Sequence, residues 1–351
     1  MSATNTDMET RLDALHARMK KSSLAGHWQE RKRRPDLVPW RWKWETIYDC
    51  LIESGEVMPI GHAGERNARR TVQLINPSLV DVKATSKTLQ MSVQLVKPGE
   101  VAEAHRHTAA ALRFIVASTG AYTTVEGEQM IMEPGDLVLT PNWNWHDHAN
   151  NTDDNVIWLD VLDVHLTGHL DGMFGEQFPE GAAQPITKPD GYSRKRFGAM
   201  RPDTSDIADV ALLPYVYKWA EAEATLHEMA EAGEASDYDG VILEYTNPIT
   251  GGPTMPTIGC WVQMLRPGES TRAHSHTGST IYHAVGGAGV TTVGRGSEAT
   301  ELTWGEHDCF FVPSLGWHEH RNTSKTEPAY LFSVTDRPVL QALHLHREER
   351  A

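Results

Sequence analysis

The residues with the clearest capacity for chemistry are histidines. The chain holds 18 of them, and His105 and His107 are separated by a single residue. In a strand this spacing points both side chains to the same face. His146 lies further along, after a Glu-Pro-Gly-Asp turn, and therefore comes from a separate strand. Three neutral imidazoles converging from two strands would occupy one side of a metal ion and leave the other side open. The pattern predicts a metal site at these three histidines.

The histidine pattern occurs twice in the chain. The segment LVKPGEVAEAHRHTAAALRFIV (95–116) matches MLRPGESTRAHSHTGSTIYHAV (264–285) without a gap, and DLVLTPNWNWHDHANN (136–151) matches DCFFVPSLGWHEHRNT (308–323). A repeat of this length predicts two copies of one structural unit. The equivalent positions in the second copy, which make it a further candidate metal site, are His274, His276 and His318.

The elements that must position these histidines are strands. Apolar and polar side chains alternate in LQMSVQLV (89–96), and similar short runs separated by turns continue to about residue 163 and again from 241 to 335. Short strands without crossover helices predict an antiparallel sandwich or barrel. Helical periodicity appears from Met8 to Met19, from Trp44 to about Gly55 and over 217–232.

Each copy resembles the two characteristic sequence blocks of the cupin superfamily. In the first copy they read Gly99-x5-His105-x-His107, then Gly135-x5-Pro141 leading to His146-x3-Asn150. The resemblance implies an all-β bicupin, that is, two double-stranded β-helix (jelly-roll) barrels. The domains we expect are an N-terminal helical and Trp-rich arm (1–84), a catalytic cupin barrel 1 (85–165), a connecting region with a helix (166–240) and a cupin barrel 2 (241–340).

The carboxylate ligand common in cupins is missing. A glutamate usually follows the second histidine by four or five residues, and those positions hold Ala111 and Leu112 in the first copy and Thr280 and Ile281 in the second. This departure favours a site made of three histidines. It also disfavours a sugar isomerase or an oxalate decarboxylase-type manganese cupin, because such sites usually keep the glutamate.

A cation distinguishes the first copy. Arg113 lies six residues after His107, so on a continuing strand it shares the face of the histidines, whereas its counterpart in the second copy is Tyr282. A guanidinium beside a divalent metal is unfavourable unless an anion lies between them. Arg113 therefore predicts an anionic ligand, a carboxylate held in its fork, and catalysis in the first barrel. A salt bridge between Arg113 and a nearby acidic residue is the alternative.

The blocks PGEVAEAHRHTAAALRFIV (98–116), EPGDLVLTPNWNWHDHANN (133–151) and VIWLDVLD (156–163) are similar to the gentisate 1,2-dioxygenase family. Its relatives include salicylate, 5-substituted salicylate and 1-hydroxy-2-naphthoate dioxygenases, and the resemblance covers nearly the whole chain. It implies a homotetrameric enzyme of aromatic catabolism that uses dioxygen to open the C1–C2 bond of a small aromatic 2-hydroxy acid. Fe(II) would be held by His105, His107 and His146.

The family resemblance also assigns residues around the metal. It places the carboxylate-binding arginines at Arg113 and Arg69, with Arg70 competing for the second assignment. The active-site histidine two residues beyond the last ligand corresponds to His148, which would contact the reacting oxygen or move a proton. An equally open interpretation is that His148 only positions His146.

Departures from the family bear on the substrate. Ala109 and Ala110 stand where the family commonly has larger polar residues, which predicts one partner fewer for a ring 5-hydroxyl if they border the pocket. Our hypothesis is that the enzyme accepts salicylates with another 5-substituent, such as nitro or halo, as well as or instead of gentisate. The polar strand face of Gln90, Ser92 and Gln94 is the expected contact for that group.

The composition argues against several other classes of function. With 32 Lys and Arg against 47 Asp and Glu, the formal charge of −15 disfavours a nucleic-acid partner. The sequence contains no apolar run of the length of a membrane span, and its three cysteines are too few for a disulfide framework, which favours the cytoplasm. A non-enzymatic binding bicupin remains an alternative, although such a protein has little reason to keep six histidines at ligand spacing.

Overall fold

The computed structural model describes residues 3–29, 36–58, 60, 69–179, 181, 183–203 and 212–351. It divides into two compact units, 1–36 and 37–351. The first unit contains the helix predicted from the Met8–Met19 periodicity. The helices of the described residues are α1 (Ala3–Lys21), α2 (Trp44–Val57), α3 (Val164–His169), α4 (Tyr192–Phe197), α5 (Trp219–Ala232) and α6 (Arg337–Ala342).

The second unit is dominated by strands. In chain order these are β1 (Trp40–Trp42), β2 (Thr71–Gln73), β3 (Gln90–Val96), β4 (Val101–His107), β5 (Ala111–Ala117), β6 (Tyr122–Val125), β7 (Glu128–Ile131), β8 (Leu137–Thr140), β9 (His146–Ala149), β10 (Val156–Leu162), β11 (Gly175–Gln177), β12 (Val216–Tyr217), β13 (Val241–Tyr245), β14 (Gly259–Leu265), β15 (His274–His276), β16 (Thr280–Gly286), β17 (Gly289–Val293), β18 (Thr300–Trp304), β19 (Cys309–Val312), β20 (His318–Asn322), β21 (Ala329–Thr335) and β22 (Glu348–Arg350).

These strands form two jelly-roll barrels, each built from a six-stranded and a five-stranded sheet. Barrel 1 consists of the sheets β12-β8-β5-β10-β3-β2 and β11-β4-β9-β6-β7. Barrel 2 consists of β1-β19-β16-β21-β14-β13 and β18-β17-β20-β15-β22. The named strand pairings are antiparallel. The predicted all-β bicupin is confirmed.

The strands of the large sheets are buried on both faces. On β5, Ile115 packs inside barrel 1 with Val138 and Trp158. Phe114, the residue before it, points the other way, into a core shared by the two barrels, where its ring stacks on Phe332 of β21 at 4.3 Å between centroids. Because a slip of one residue would exchange these two faces, the register of β5 is strongly specified. The register in turn fixes which residues face the barrel interior.

The structure reveals a third repeated block that precedes each barrel. LVPWRWKW (37–44) and LLPYVYKW (212–219) share the same pattern of aromatic residues, proline and lysine. The first block forms β1, which pairs with β19 of barrel 2, and the second forms β12, which pairs with β8 of barrel 1. Each barrel therefore receives an edge strand from the segment that leads into the other barrel.

Two segments differ from the division expected from the sequence. The expected arm contains β1 and β2, which are strands of barrel sheets, and the Trp-rich segment thus packs within the chain. The connecting region contains the predicted helix, α5, together with β11 and β12. The boundaries at 84, 165 and 240 stay a prediction. Among the helices described, none has the length and apolar composition needed to cross a membrane.

Candidate metal and substrate site

The three predicted ligands of barrel 1 lie together. His105 and His107 are on β4, His146 begins β9, and the antiparallel register places His105 opposite His146. The ring centroids are 4.3 Å apart for His105 and His146, 4.9 Å for His107 and His146, and 5.3 Å for His105 and His107. One nitrogen from each ring lies within 4.8 Å of the other two.

The backbone sets the tautomer of two of these imidazoles. His107 Nδ1 lies 2.8 Å from the carbonyl oxygen of Ala109, and His146 Nδ1 lies 2.9 Å from that of Asn144. A carbonyl can only accept, so each Nδ1 donates its proton and Nε2 keeps a lone pair for a metal ion. His105 Nδ1 lies 3.2 Å from the carbonyl oxygen of Glu103.

Burial keeps the imidazoles neutral. It lowers the pKa of His105 to about 2, helped by the neighbouring Arg69, and the pKa of His107 to about 4. Burial also holds the pKa of His146 well below its usual value. Neutral imidazoles are the form that binds a divalent transition metal. The residues present therefore fit a metal ion with three nitrogen ligands.

Arg113 faces the interior of barrel 1, as its spacing predicts. Its Nη1 lies 2.5 Å from Thr140 Oγ1, and its Nε lies 3.3 Å from Asp160 Oδ1 on the neighbouring strand β10. The side chain is only 3% exposed. Nε and Asp160 Oδ1 are close enough for an ion pair but form no hydrogen bond. The alternative of a salt bridge thus holds for Nε, while Nη2 takes part in no hydrogen bond among the described residues.

The choice between the two neighbouring arginines is resolved by their positions. Arg69 Nη2 donates to the carbonyl of Glu103 at 2.8 Å and lies 2.5 Å from His105 Nδ1. Arg70 instead forms a two-pronged ion pair with Glu100, with both Nη–Oε distances at 2.8 Å. Arg69 therefore lies at the metal site and Arg70 does not.

The two guanidinium groups at the site keep donors that have no hydrogen-bond partner among the described residues. Burial, and next the charge of Arg113, lowers the pKa of Arg69 to about 10, while burial also lowers that of Arg113. Arg69 Nη1 is buried and has no hydrogen-bond partner among the described residues. Asp160 is the carboxylate that acts on both cations, and Asp147 and Glu103 also act on Arg69. An anionic ligand would satisfy the remaining donors.

His148 lies on the same face of β9 as His146. The centroids of the two rings are 6.0 Å apart, and His148 packs 5.0 Å from the ring of Trp158. Burial, followed by the charges of Arg113 and Arg69, keeps its pKa well below the usual value. Its Nδ1 has no hydrogen-bond partner in the described part of the chain, and His146 is held by a backbone carbonyl rather than by His148.

The two alanines expected at the pocket have different surroundings. Ala110 is fully buried in the core shared by the barrels. Ala109 is also fully buried and contributes its carbonyl to His107. For Ala110 this place in the core excludes the expected position at the pocket, whereas for Ala109, which lies beside His107, the expectation stays a prediction. The polar face of β3 does face the site, because Ser92 lies opposite Asp160 in the sheet.

Sequence reasoning missed Asp160, the carboxylate that faces Arg113. The signal was a single charged residue in the otherwise apolar run VIWLDVL (156–162). A buried carboxylate in such a strand needs a cation on a neighbouring strand. What the sequence could not provide was the register that pairs Asp160 with Arg113.

The second triad has nearly the same geometry as the first. The ring centroids are 4.3 Å apart for His274 and His318, 5.3 Å for His276 and His318, and 5.7 Å for His274 and His276. One nitrogen from each ring again lies within 4.8 Å of the other two. The repeat thus extends from sequence to the arrangement of the possible ligands.

Two barrels with histidine triads at equivalent positions define a bicupin of the metal-binding type. The family model described as a cupin domain matches residues 92–162 and 261–335. The chain is 40% identical to a 5-aminosalicylate 1,2-dioxygenase of a Comamonas species, covering 97% of this chain and 91% of that protein. It is 34% identical to gentisate 1,2 dioxygenase 1 of Aquipseudomonas alcaligenes, covering 95% of each chain.

Solved structures agree with this assignment. The salicylate 1,2-dioxygenase of Pseudoaminobacter salicylatoxidans, as an adduct with gentisate, superposes with a TM-score of 0.85 at 31% identity, covering 97% of this chain and 94% of that one. The chain belongs to the gentisate and salicylate 1,2-dioxygenase family. It is a ring-cleaving dioxygenase with two cupin barrels.

Proposed function

We propose that this enzyme uses Fe(II) in barrel 1 and dioxygen to open the C1–C2 bond of a 2-hydroxybenzoate, either gentisate or a salicylate with another 5-substituent. The observation that carries the proposal is the pair of buried guanidinium groups, Arg69 and Arg113, beside a neutral histidine triad. Together they provide three ligands for a metal ion and unpaired cationic donors in one site. A ring carboxylate with an adjacent hydroxyl is a ligand that can use both.

The triad would hold the metal on one side only. His105, His107 and His146 supply three nitrogens and no charge, and the position of the usual cupin glutamate is Ala or Leu. When bound, iron(II) supplies the one-electron chemistry that the reaction of dioxygen with an aromatic ring requires. Without a carboxylate ligand, the open side of the metal would be available to the substrate and to dioxygen.

The two arginines would bind and orient the ring. Arg113 contacts Thr140 through Nη1 and Asp160 through Nε, and these two contacts would hold the guanidinium in place and leave Nη2 for the substrate. Arg69 would add its unpaired Nη1. Donors that are fixed before the substrate arrives orient it without a further loss of side-chain entropy. Their positive charge also offsets that of the carboxylate.

His148 would act as a hydrogen-bonding group close to the reacting atoms. Its imidazole is neutral at neutral pH because of burial and the nearby arginines. Nδ1 is available to hydrogen-bond a ligand, since it has no hydrogen-bond partner in the described part of the chain. We favour this role over support of His146, whose Nδ1 is already bound by the carbonyl of Asn144.

The ring 5-substituent would meet the polar face of β3. Gln94 has a buried side-chain amide nitrogen without a partner among the described residues. Gln90 is committed elsewhere, because its Nε2 donates to Thr85 and its Oε1 lies 3.1 Å from His165 Nε2. An unpaired amide N–H suits a substituent that accepts a hydrogen bond, such as a hydroxyl or nitro group.

The decisive test is oxygen uptake after anaerobic loading with Fe(II), with gentisate, salicylate, 5-aminosalicylate, 5-nitrosalicylate and 1-hydroxy-2-naphthoate as substrates. We expect iron-dependent uptake with at least one 5-substituted 2-hydroxybenzoate and formation of the ring-opened product. His105→Ala should abolish both uptake and iron retention in barrel 1. Activity with Mn(II) only, or none with any of these acids, would reject the proposal, and a large preference for gentisate would reject the extension to other 5-substituents.

The family resemblance supports two further proposals about the assembled enzyme, a homotetramer and a cytoplasmic location. The cysteines Cys50, Cys260 and Cys309 are all unpaired, as suits a reducing compartment.

A further inference from the structure

We propose that barrel 2 is a second metal site, in which His274, His276 and His318 bind a divalent transition-metal ion without an anionic ligand. This inference is independent of the proposed function, because it concerns metal binding in the barrel that lacks the arginines. It rests on the spacing of the nitrogens, on the anchoring of the rings and on the charges that surround them.

The first support is the distance between two of the nitrogens. His274 Nε2 and His318 Nε2 are 2.9 Å apart. Two imidazole nitrogens at about 2.05 Å from a common ion, and at right angles to each other, are separated by about 2.9 Å. The geometry thus already matches two adjacent positions of a coordination sphere.

The second support is the tautomer of the rings. His318 Nδ1 lies 2.9 Å from the carbonyl oxygen of Gly316, and His276 Nδ1 lies 3.2 Å from that of Thr277. Both therefore donate through Nδ1 and keep the Nε2 lone pair, as His146 and His107 do in barrel 1. Such anchoring of the nitrogen that does not bind is the usual support of a histidine ligand.

The third support is electrostatic, because the charges next to the histidine triad differ in sign between the two barrels. In barrel 1 the charges closest to the triad are two arginines, whereas in barrel 2 the carboxylate of Asp239 lies 3.8 Å from His274 Nε2. The position of Arg113 is taken by Tyr282, whose hydroxyl lies 3.4 Å from His318 Nε2. A negative charge beside three neutral nitrogens stabilises a bound cation directly.

The space next to the triad agrees with a cation rather than an anionic substrate. A cavity of about 370 Å³ opens beside His274 and His276. Its walls carry three carboxylates and two arginines, and one arginine is already paired, with Arg350 Nε 2.8 Å from Glu348 Oε1. The charged residues that line it are Asp239, Glu244, Arg337, Glu348 and Arg350. The cavity can thus hold water on the open side of the metal, with no excess of positive charge to attract a carboxylate.

The test counts metal ions in three single variants of the full chain, with Co(II) as the probe under anaerobic conditions. After equilibrium dialysis we expect about two cobalt ions per chain in the unaltered protein and about one in both His107→Asn and His276→Asn. The matched control is His344→Asn, an exposed histidine of barrel 2 outside the triad, which should retain about two.

The informative variant is His107→Asn, because it leaves barrel 2 unaltered. Its remaining cobalt should persist without any aromatic acid and should raise the unfolding temperature, since a ligand that binds only the folded state stabilises it. Loss of all bound cobalt in His107→Asn would overturn the proposal, and so would unchanged cobalt in a folded His276→Asn. Neither measurement depends on turnover, so a failure of ring cleavage would leave this result standing.

Discussion

At the scale of single residues, adjacent side chains of the same type have different tasks. Arg69 lies beside His105, whereas Arg70 is bound to Glu100 and to the carbonyl of Met58. Residue type and spacing predicted the triads and Arg113, because an alternating strand fixes which side chains share a face. The same logic could not choose between Arg69 and Arg70, since their segment lacks a clear alternation and the decision depends on acids distant in sequence.

The two arginines can be separated by experiment. Arg69→Met should raise the KM for the aromatic acid about 10- to 100-fold, because a charge-assisted hydrogen bond contributes about 1.5–3 kcal/mol. Bound iron should be retained, since no histidine is changed. The matched control Arg70→Met should lower the free energy of unfolding, through the loss of the Glu100 ion pair, and leave KM unaltered. Equal KM values for the two variants would contradict the assignment of Arg69 to the substrate.

At the scale of elements, the repeated aromatic block ties each barrel to the helix that leads into the other. Asp136, the residue before β8 in barrel 1, accepts a hydrogen bond at 3.0 Å from the backbone N–H of Trp219, where α5 begins, and α5 packs on β13 and β14 of barrel 2. In barrel 2, Asp308 likewise accepts a hydrogen bond at 2.7 Å from the backbone N–H of Trp44, where α2 begins, and α2 packs on β2 and β3 of barrel 1. The block was readable in the sequence, but its exchange between barrels was not, because the pattern of a strand does not specify which sheet it joins.

These contacts predict that the free energy of unfolding falls by different amounts when either of two acids that pair with the same lysine is removed. Lys218 Nζ lies 2.5 Å from Asp136 and 2.6 Å from Glu133. Asp136→Ala should lower the free energy of unfolding by about 2–3 kcal/mol, since it removes both the acceptor for the first backbone N–H of α5 and an ion pair with Lys218. Glu133→Ala should lower the free energy of unfolding by less than about 1 kcal/mol, because Glu133 is exposed and contributes only the ion pair. Denaturant unfolding of both variants gives the comparison, and equal losses would exclude a contribution from the hydrogen bond between Asp136 and the Trp219 N–H.

At the scale of the whole molecule, the two barrels are joined by a shared core that contains a titratable group. His283 of β16 is 1% exposed and lies between His307, whose ring is 5.8 Å away and nearly parallel, and Phe114 of barrel 1 at 5.6 Å. The sequence predicted two barrels from the repeat and the alternation. It could not place His283 between them, because strands buried on both faces lose the contrast between apolar and polar sides.

The buried imidazole makes stability depend on pH. Burial, followed by the charge of His307, lowers the pKa of His283 to about 3, against about 6.5 in an unfolded chain. Below about pH 6.5 the unfolded chain binds a proton that the folded chain does not, so the free energy of unfolding falls as the pH decreases toward 3. From about pH 7.5 to about pH 5, this histidine should lower the free energy of unfolding by about 2 kcal/mol. In His283→Leu the decline of stability over this range should be shallower by that amount, as measured by denaturant unfolding at each pH. His344→Leu, which alters an exposed histidine, should follow the unaltered protein, and parallel curves for all three proteins would show that His283 titrates normally.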